Sequence, residues 1–165
     1  MTARPAVTPF SGRVHRQTGV DTPVFPPDRP AAGEGRYHLP GDPWPLYASL
    51  EPATVWAEWA AATRGAVDPA DERRRLWSLE VDGLAVLDLR DAAVRRALEV
   101  DLEDLTGTRV RAQALAARVR DLDADGLIVP SAARPEHWNL VVFPSGFGHV
   151  RPVRSRVGHP APPAR

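Results

Sequence analysis

Residues 53–63, ATVWAEWAAAT, carry a single charged side chain, Glu58. Pro52 precedes them, and proline is favoured in the first turn of a helix, so we predict a helix over about residues 52–64. A surface helix normally has one apolar stripe and a charged remainder. The residues three and four positions from Glu58 are instead small or uncharged: Thr54, Val55, Ala61 and Ala62. This pattern indicates a helix that is buried on one side and forms the wall of a cleft on the other.

Glu58 has two interpretations at this point. A carboxylate that lines a dry cleft costs free energy unless a partner compensates it, which indicates a functional group. A carboxylate on an exposed alanine face would only make the helix soluble. The periodicity of the helix is compatible with both.

Composition narrows the class of protein. The 165 residues suffice for one domain with a core, and 21 basic residues balance 21 acidic ones. Direct binding to nucleic acid is disfavoured because such proteins usually carry a basic excess. Lysine and cysteine are absent, which excludes Schiff-base chemistry, disulfides and cysteine-ligated metals. No apolar run reaches membrane-spanning length, and the N-terminus lacks the apolar core of a signal peptide, so a cytoplasmic protein is expected.

The order of elements favours a single compact α+β domain, with small mixed or antiparallel sheets and flanking helices. We predict a flexible leader over 1–11, the folded domain over 12–153 and a Pro/Arg-rich tail over 154–165. Residues 18–45 are dense in proline and glycine and are predicted to be a loop. Two further helices are predicted over 91–98 and 108–122. Strands are predicted over 12–16, 45–49, 75–83, 84–91, 126–131, 138–144 and 147–153, with Asp82-Gly83 as a tight hairpin between the third and fourth.

Three stretches in this order resemble the RES domain family, over about residues 12–153. They are GRYH with Arg36, PLYASLEPATVWAEW with Tyr47 and Glu58, and GLIVPSAARPEHWNLVVF with Ser131. The family is named for an arginine, a glutamate and a serine, which would be Arg36, Glu58 and Ser131 here.

Other positions extend this resemblance or depart from it. An upstream arginine of the family corresponds to Arg16. Tyr37 stands where many members carry tryptophan, and Val129 or Pro130 stands where many have an aromatic residue before Ser131. None of these departures removes a named functional group. Arg134 and Asn139 flank the serine motif and are interpreted as structural or left unassigned.

The resemblance implies a toxin of a bacterial toxin–antitoxin pair with an ADP-ribosyltransferase-like fold. Such proteins consume NAD+ as substrate and pair with an antitoxin that carries a helix-turn-helix domain of the Xre type. Some members release nicotinamide by hydrolysis or phosphorolysis, and others transfer ADP-ribose to a protein.

The chemistry assigns a role to each residue that the resemblance marks. Cleavage of the nicotinamide–ribose bond builds positive charge on the ribose, and Glu58 would stabilise it. Nicotinamide leaves as a neutral molecule and needs no general acid, so one carboxylate suffices. Arginine's planar fork grips phosphate oxygens well, so Arg36 and Arg16 would bind the NAD+ diphosphate. Tyr47 would shape the nicotinamide side, Ser131 would orient the substrate and Tyr37 would line the site.

Degradation of NAD+ with water or phosphate as acceptor is therefore the first expectation. Mono-ADP-ribosylation of a protein and a non-catalytic binding module remain as alternatives. The five histidines show no metal-ligand spacing, so no metal is expected. Neither a membrane partner nor a direct nucleic-acid partner is expected, and a homo-oligomer is left open.

Overall fold

The computed structural model describes residues 4–162, so residues 1–3 of the predicted leader and 163–165 of the predicted tail lie outside it. Within that range the chain forms four helices, α1 to α4, over Pro52–Thr63, Ala92–Leu98, Leu102–Thr106 and Arg109–Arg120. Six strands, β1 to β6, run over Thr8–Gly19, Leu46–Ser49, Arg74–Asp88, Gly126–Pro130, Trp138–Val142 and Val150–Gly158. A 3-10 helix over Pro144–His149 precedes the last strand. None of the helices in 4–162 is long and apolar enough to cross a membrane.

One mixed sheet connects all six strands, in the order β1-β2-β5-β4-β3-β6. An additional antiparallel pairing between β1 and β3 turns the sheet back on itself. The junction between β1 and β2 is narrow, because only His15 and Ser49 are paired there. The single α+β domain predicted from the sequence is therefore confirmed.

The predicted hairpin at Asp82-Gly83 is wrong, since β3 runs through both residues as one strand. The register between β1 and β3 shifts here, so that two residues of β3 face Ser11 alone. Gly83 has a φ of +63°, a conformation that glycine adopts without steric cost, and its N–H donates to Ser11 Oγ at 2.9 Å. The Asp-Gly pair therefore makes a β-bulge that bends a long strand.

Three apolar clusters surround this sheet. One face of β4 and β5 packs with α2, α3 and α4, around Leu127 and Val141. The opposite face of the sheet encloses a second cluster, which includes Val14, Leu79 and Leu140. The third cluster, which lies under α1, consists of Val55, Trp56, Trp59 and Leu76. Helix α1 also packs against β1 and β2.

Most predicted elements are confirmed with small changes in their ends. Helices α1, α2 and α4 and strands β2, β4 and β5 lie where the sequence places them, and the segment between Gly19 and Leu46 is mostly turns and bends. Helix α3 was not predicted. The last strand begins at Val150 and continues to Gly158, well into the segment predicted as a tail. Strand β1 already begins at Thr8, inside the predicted leader.

Candidate functional site

A cleft of about 290 Å³ opens between α1 and the β1–β2 junction. The chain forms α1 because proline occupies its first turn and alanines fill its body, and the helix ends where Arg64 adopts a left-handed φ of 52°. Four of the predicted site residues line the cleft: Arg16, Arg36, Tyr47 and Glu58. Residues that were not predicted also line it, including His15, Gln17, Ser49, Val55, Trp59 and Asn139.

The carboxylate of Glu58 is held by two neutral donors. Ser131 Oγ donates to Glu58 Oε1 at 2.6 Å, and Asn139 Nδ2 donates to the same oxygen at 2.8 Å. From residues 4–162, the other oxygen, Oε2, accepts no hydrogen bond. One carboxylate oxygen is thus fixed by the protein, and the second is left for a ligand.

Ser131 contributes to the cleft only through this bond. It follows β4, has no exposed surface, and is not part of the cleft lining. Its hydroxyl also accepts the backbone N–H of Arg134 at 3.0 Å, which fixes the direction in which its own proton points. The geometry makes Ser131 a support for Glu58.

Asn139 is the main site residue that the sequence analysis did not assign. It pairs with Ser49 across β5 and β2, and Ser49 Oγ donates to Asn139 Oδ1 at 2.7 Å. This bond orients the amide so that its NH₂ group points at Glu58. The signal in the sequence is weak, because Trp138–Val142 reads simply as a buried strand with a polar residue near its start.

Arg16 is largely buried at the cleft wall. Its Nη1 donates to the backbone oxygen of Tyr47 at 3.0 Å, while Nε is buried without a partner among the described residues. Burial lowers the pKa of Arg16 to about 10, so the guanidinium remains protonated at neutral pH. A buried guanidinium with an unsatisfied N–H is suited to receive an anionic ligand.

Arg36 reaches the cleft from the loop between β1 and β2. Its Nη1 donates to the carbonyl oxygens of Leu105 and Gly107, at 3.1 and 3.0 Å. These carbonyls lie at the C-terminal end of α3, where a positive charge is favourable. One side of the guanidinium is therefore anchored.

Tyr47 lines the cleft, whereas Tyr37 packs beside it in the core. The hydroxyl of Tyr47 accepts the backbone N–H of Tyr37 at 3.0 Å and lies 2.7 Å from His38 Nδ1. Tyr37 is 3% exposed and is not part of the cleft lining, and its hydroxyl has no partner among the described residues. Burial raises the pKa of both phenols, which keeps them protonated.

Arg134 ties the loop that carries Ser131 to the start of α1. Its Nη1 donates to Thr54 Oγ1 at 3.0 Å, and its Nη2 lies 2.8 Å from His137 Nε2. Glu51, just before α1, lies 3.6 Å from Arg134 Nη1 and 3.1 Å from His137 Nδ1. The hydrogen bond between Ser131 and Glu58 already joins this loop to α1. Arg134 therefore connects the loop to the helix a second time.

The arrangement combines one oriented carboxylate, two arginines and an aromatic ring around an open cleft. Among the described residues there is no group of three or more histidines, aspartates or glutamates that could hold a metal ion. Such a site can stabilise a developing positive charge beside an anionic ligand.

Comparison with known proteins gives three findings. The RES domain family model matches residues 8–160. The probable NAD(+) phosphorylase Rv3189 of Mycobacterium tuberculosis is 38% identical over 134 residues, which cover 81% of this chain and 65% of that protein. A chain in the crystal structure of the M. tuberculosis MbcT–MbcA toxin–antitoxin complex matches with a TM-score of 0.79 at 23% identity, covering 93% of this chain and 87% of that one. This last likeness shows the fold.

Proposed function

This chain belongs to the RES domain family, and from that premise we propose that it is an enzyme that degrades NAD+ by cleaving the bond between nicotinamide and ribose. One observation carries the proposal. Glu58 is fixed through Oε1 by Ser131 and Asn139 and leaves Oε2 open at a cleft with two arginines. The curated relative named as a probable NAD(+) phosphorylase supports the same activity.

Cleavage of the nicotinamide–ribose bond requires stabilisation of positive charge on the ribose more than it requires proton transfer. As the C1′–N bond of NAD+ breaks, its electron pair moves to the nicotinamide nitrogen, which becomes neutral, and positive charge develops on the ribose. Glu58 Oε2 stabilises that charge and binds the ribose hydroxyls. Because the carboxylate is already oriented by two donors, little reorganisation is needed in the transition state.

The other residues position the dinucleotide. The buried, incompletely satisfied guanidinium of Arg16 and the anchored guanidinium of Arg36 bind the diphosphate. The ring of Tyr47 packs against the nicotinamide, while its hydroxyl is held by Tyr37 and His38. Ser131 orients the substrate indirectly, through Glu58.

Phosphate is the proposed acceptor, with water as the alternative. The name of the M. tuberculosis relative favours phosphate, although this chain matches only 65% of that protein. Transfer of ADP-ribose to a protein is the competing outcome, and incubation with NAD+ alone separates it from degradation.

In the cell, the enzyme acts in the cytoplasm as the toxin of a toxin–antitoxin pair. The likeness of its fold to a chain of the MbcT–MbcA complex supports this role. The proposed partner is an antitoxin with a helix-turn-helix domain of the Xre type, as in the pairs that the family resemblance implies.

Incubation of the pure protein with NAD+ tests the proposal. Nicotinamide release, measured by mass spectrometry without any protein acceptor, is the expected result. A product heavier than ADP-ribose by one phosphate identifies phosphorolysis, and ADP-ribose identifies hydrolysis. Absence of turnover in both phosphate and phosphate-free buffer would contradict the activity.

A Glu58→Gln variant provides the matched control, since it keeps the size of the side chain and removes its negative charge. The variant is expected to lose turnover and to allow bacterial growth where the native protein stops it. Equal toxicity of the two proteins would overturn the catalytic role of Glu58.

A further inference from the structure

A row of polar residues crosses five strands of the sheet. The strand registers pair Arg154 with Ser78, Ser78 with His15, His15 with Ser49, and Ser49 with Asn139. Directly paired residues project from the same face of a sheet, so these five side chains share one face. We call them the polar row.

The polar row begins at the Glu58 site and ends in a separate groove. At one end, Asn139 donates to Glu58. At the other, a groove of about 140 Å³ is lined by His15, Pro52, Leu76, Ser78, Arg154, Ser155 and Arg156. His15 lines both this groove and the cleft, and its Nδ1 lies 3.3 Å from Ser78 Oγ. The groove is therefore the immediate neighbour of the cleft.

The charge of the groove is positive and uncompensated. Among the described residues, Arg154 and Arg156 form no ion pair and no side-chain hydrogen bond. Glu80, two positions along β3 from Ser78, lies opposite Arg151 and forms an ion pair with it. The carboxylate of Glu80 is therefore already neutralised by another arginine. Burial and the nearby charge of Arg13 lower the pKa of His15, so the positive charge of the groove comes from its two arginines.

We propose that this groove binds a phosphate group used in the reaction, which extends the substrate site beyond the Glu58 cleft. Two guanidinium groups, a serine hydroxyl and an imidazole offer donors that match the tetrahedral oxygens of phosphate. The inference rests on the proposed function and adds residues that the family motif does not mark. The phosphate is either the free acceptor or one phosphate of the NAD+ diphosphate, which would then lie between the arginines of the cleft and those of the groove. Both sources present the same chemistry to the groove.

The two sources of phosphate give the groove different roles in the reaction. If the groove holds the free acceptor, a phosphate oxygen supplies the electron pair for the new C1′–O bond while nicotinamide leaves with the pair of the old C1′–N bond. If it holds the diphosphate, the dinucleotide extends from the cleft past His15 into the groove.

The test compares the double variant Arg154→Gln/Arg156→Gln with Arg151→Gln. The control removes a positive charge from the same strand, one row away from the groove. KM is measured for inorganic phosphate and for NAD+ separately. A rise of about tenfold in KM for phosphate alone identifies the acceptor site, and a rise of about tenfold in KM for NAD+ alone identifies the diphosphate site. If neither constant moves further than in the control, the proposal is overturned.

A binding measurement separates this inference from the proposed function. The midpoint of thermal unfolding is compared in phosphate and in chloride at equal ionic strength. Phosphate is expected to stabilise the native protein and the Arg151→Gln variant, and to stabilise the double variant less. Equal stabilisation of all three proteins would overturn the phosphate site even if NAD+ turnover were not observed.

Discussion

Replacement of Asn139 by alanine removes one of the two hydrogen bonds that Glu58 Oε1 accepts. A hydrogen bond from a neutral donor to a charged group contributes about 1.5–3 kcal/mol. If the bond orients Glu58 in the transition state, its loss corresponds to a decrease of about 10- to 150-fold in kcat. KM for NAD+ should change little, because Arg16 and Arg36, the proposed ligands of the diphosphate, are untouched.

The assay is steady-state release of nicotinamide in phosphate buffer, with circular dichroism melts to establish that each variant is folded. Ser49→Ala is the matched control. It removes the neutral bond that anchors the amide of Asn139, worth about 0.5–1.5 kcal/mol, and leaves the bond to Glu58 in place. The expected loss in kcat is therefore smaller, about 2- to 12-fold.

The series refutes the reasoning if folded Asn139→Ala retains the native kcat while Glu58→Gln has none. Glu58 would then act without help from the amide. If Ser49→Ala and Asn139→Ala lowered kcat equally, the loss would be attributed to a disturbed pairing of β2 with β5 and not to the bond between Asn139 and Glu58.

Other contacts in the molecule support three more predictions. Arg134→Met should lower kcat about tenfold with little change in KM, because the loop that carries Ser131 loses its second connection to α1. Arg134→Lys, which keeps the positive charge, should restore part of the rate. Burial lowers the pKa of His38 below its usual 6.5, so the unfolded chain binds the proton more readily than the folded one. The free energy of unfolding, measured with urea, should therefore fall as the pH drops below about 6.5, and less steeply in His38→Phe. Gly126→Ala would place a Cβ 2.6 Å from the carbonyl oxygen of Val141, so the melting midpoint should fall, by about 2–4 °C for each kcal/mol of strain.

The sequence predicts the local elements of the fold well, since their signals are local. Pro52 and the alanines specify α1, and the apolar run of β4 specifies a buried strand. The Asp-Gly pair at 82–83 misleads because the same dipeptide suits a hairpin and a bulge, and only the partner strand decides between them. β1 supplies that partner through a pairing far apart in sequence.

The site is predicted in part, for a similar reason. Glu58 stands out from the sequence because no other charge accompanies it on its helix. Asn139 does not stand out, since its relation to Glu58 depends on the register between β2 and β5. Tyr37, predicted to line the site, instead lies in the core and supports Tyr47 with its backbone. Its role toward a substrate stays a prediction.

The alternation of side chains along the strands has a consequence for the kinds of mutation that can remove the proposed activity. The side chains of Leu46 and Ala48 belong to the second apolar cluster, whereas those of Tyr47 and Ser49 alternate with them and line the cleft. In β5, Leu140 and Asn139 alternate in the same way. A one-residue insertion in β2 would turn a polar side chain into the core and a core side chain onto the cleft floor. One-residue insertions and deletions in these strands should therefore disrupt the fold together with the proposed activity. Inactive variants that still fold should therefore arise mainly from side-chain replacements.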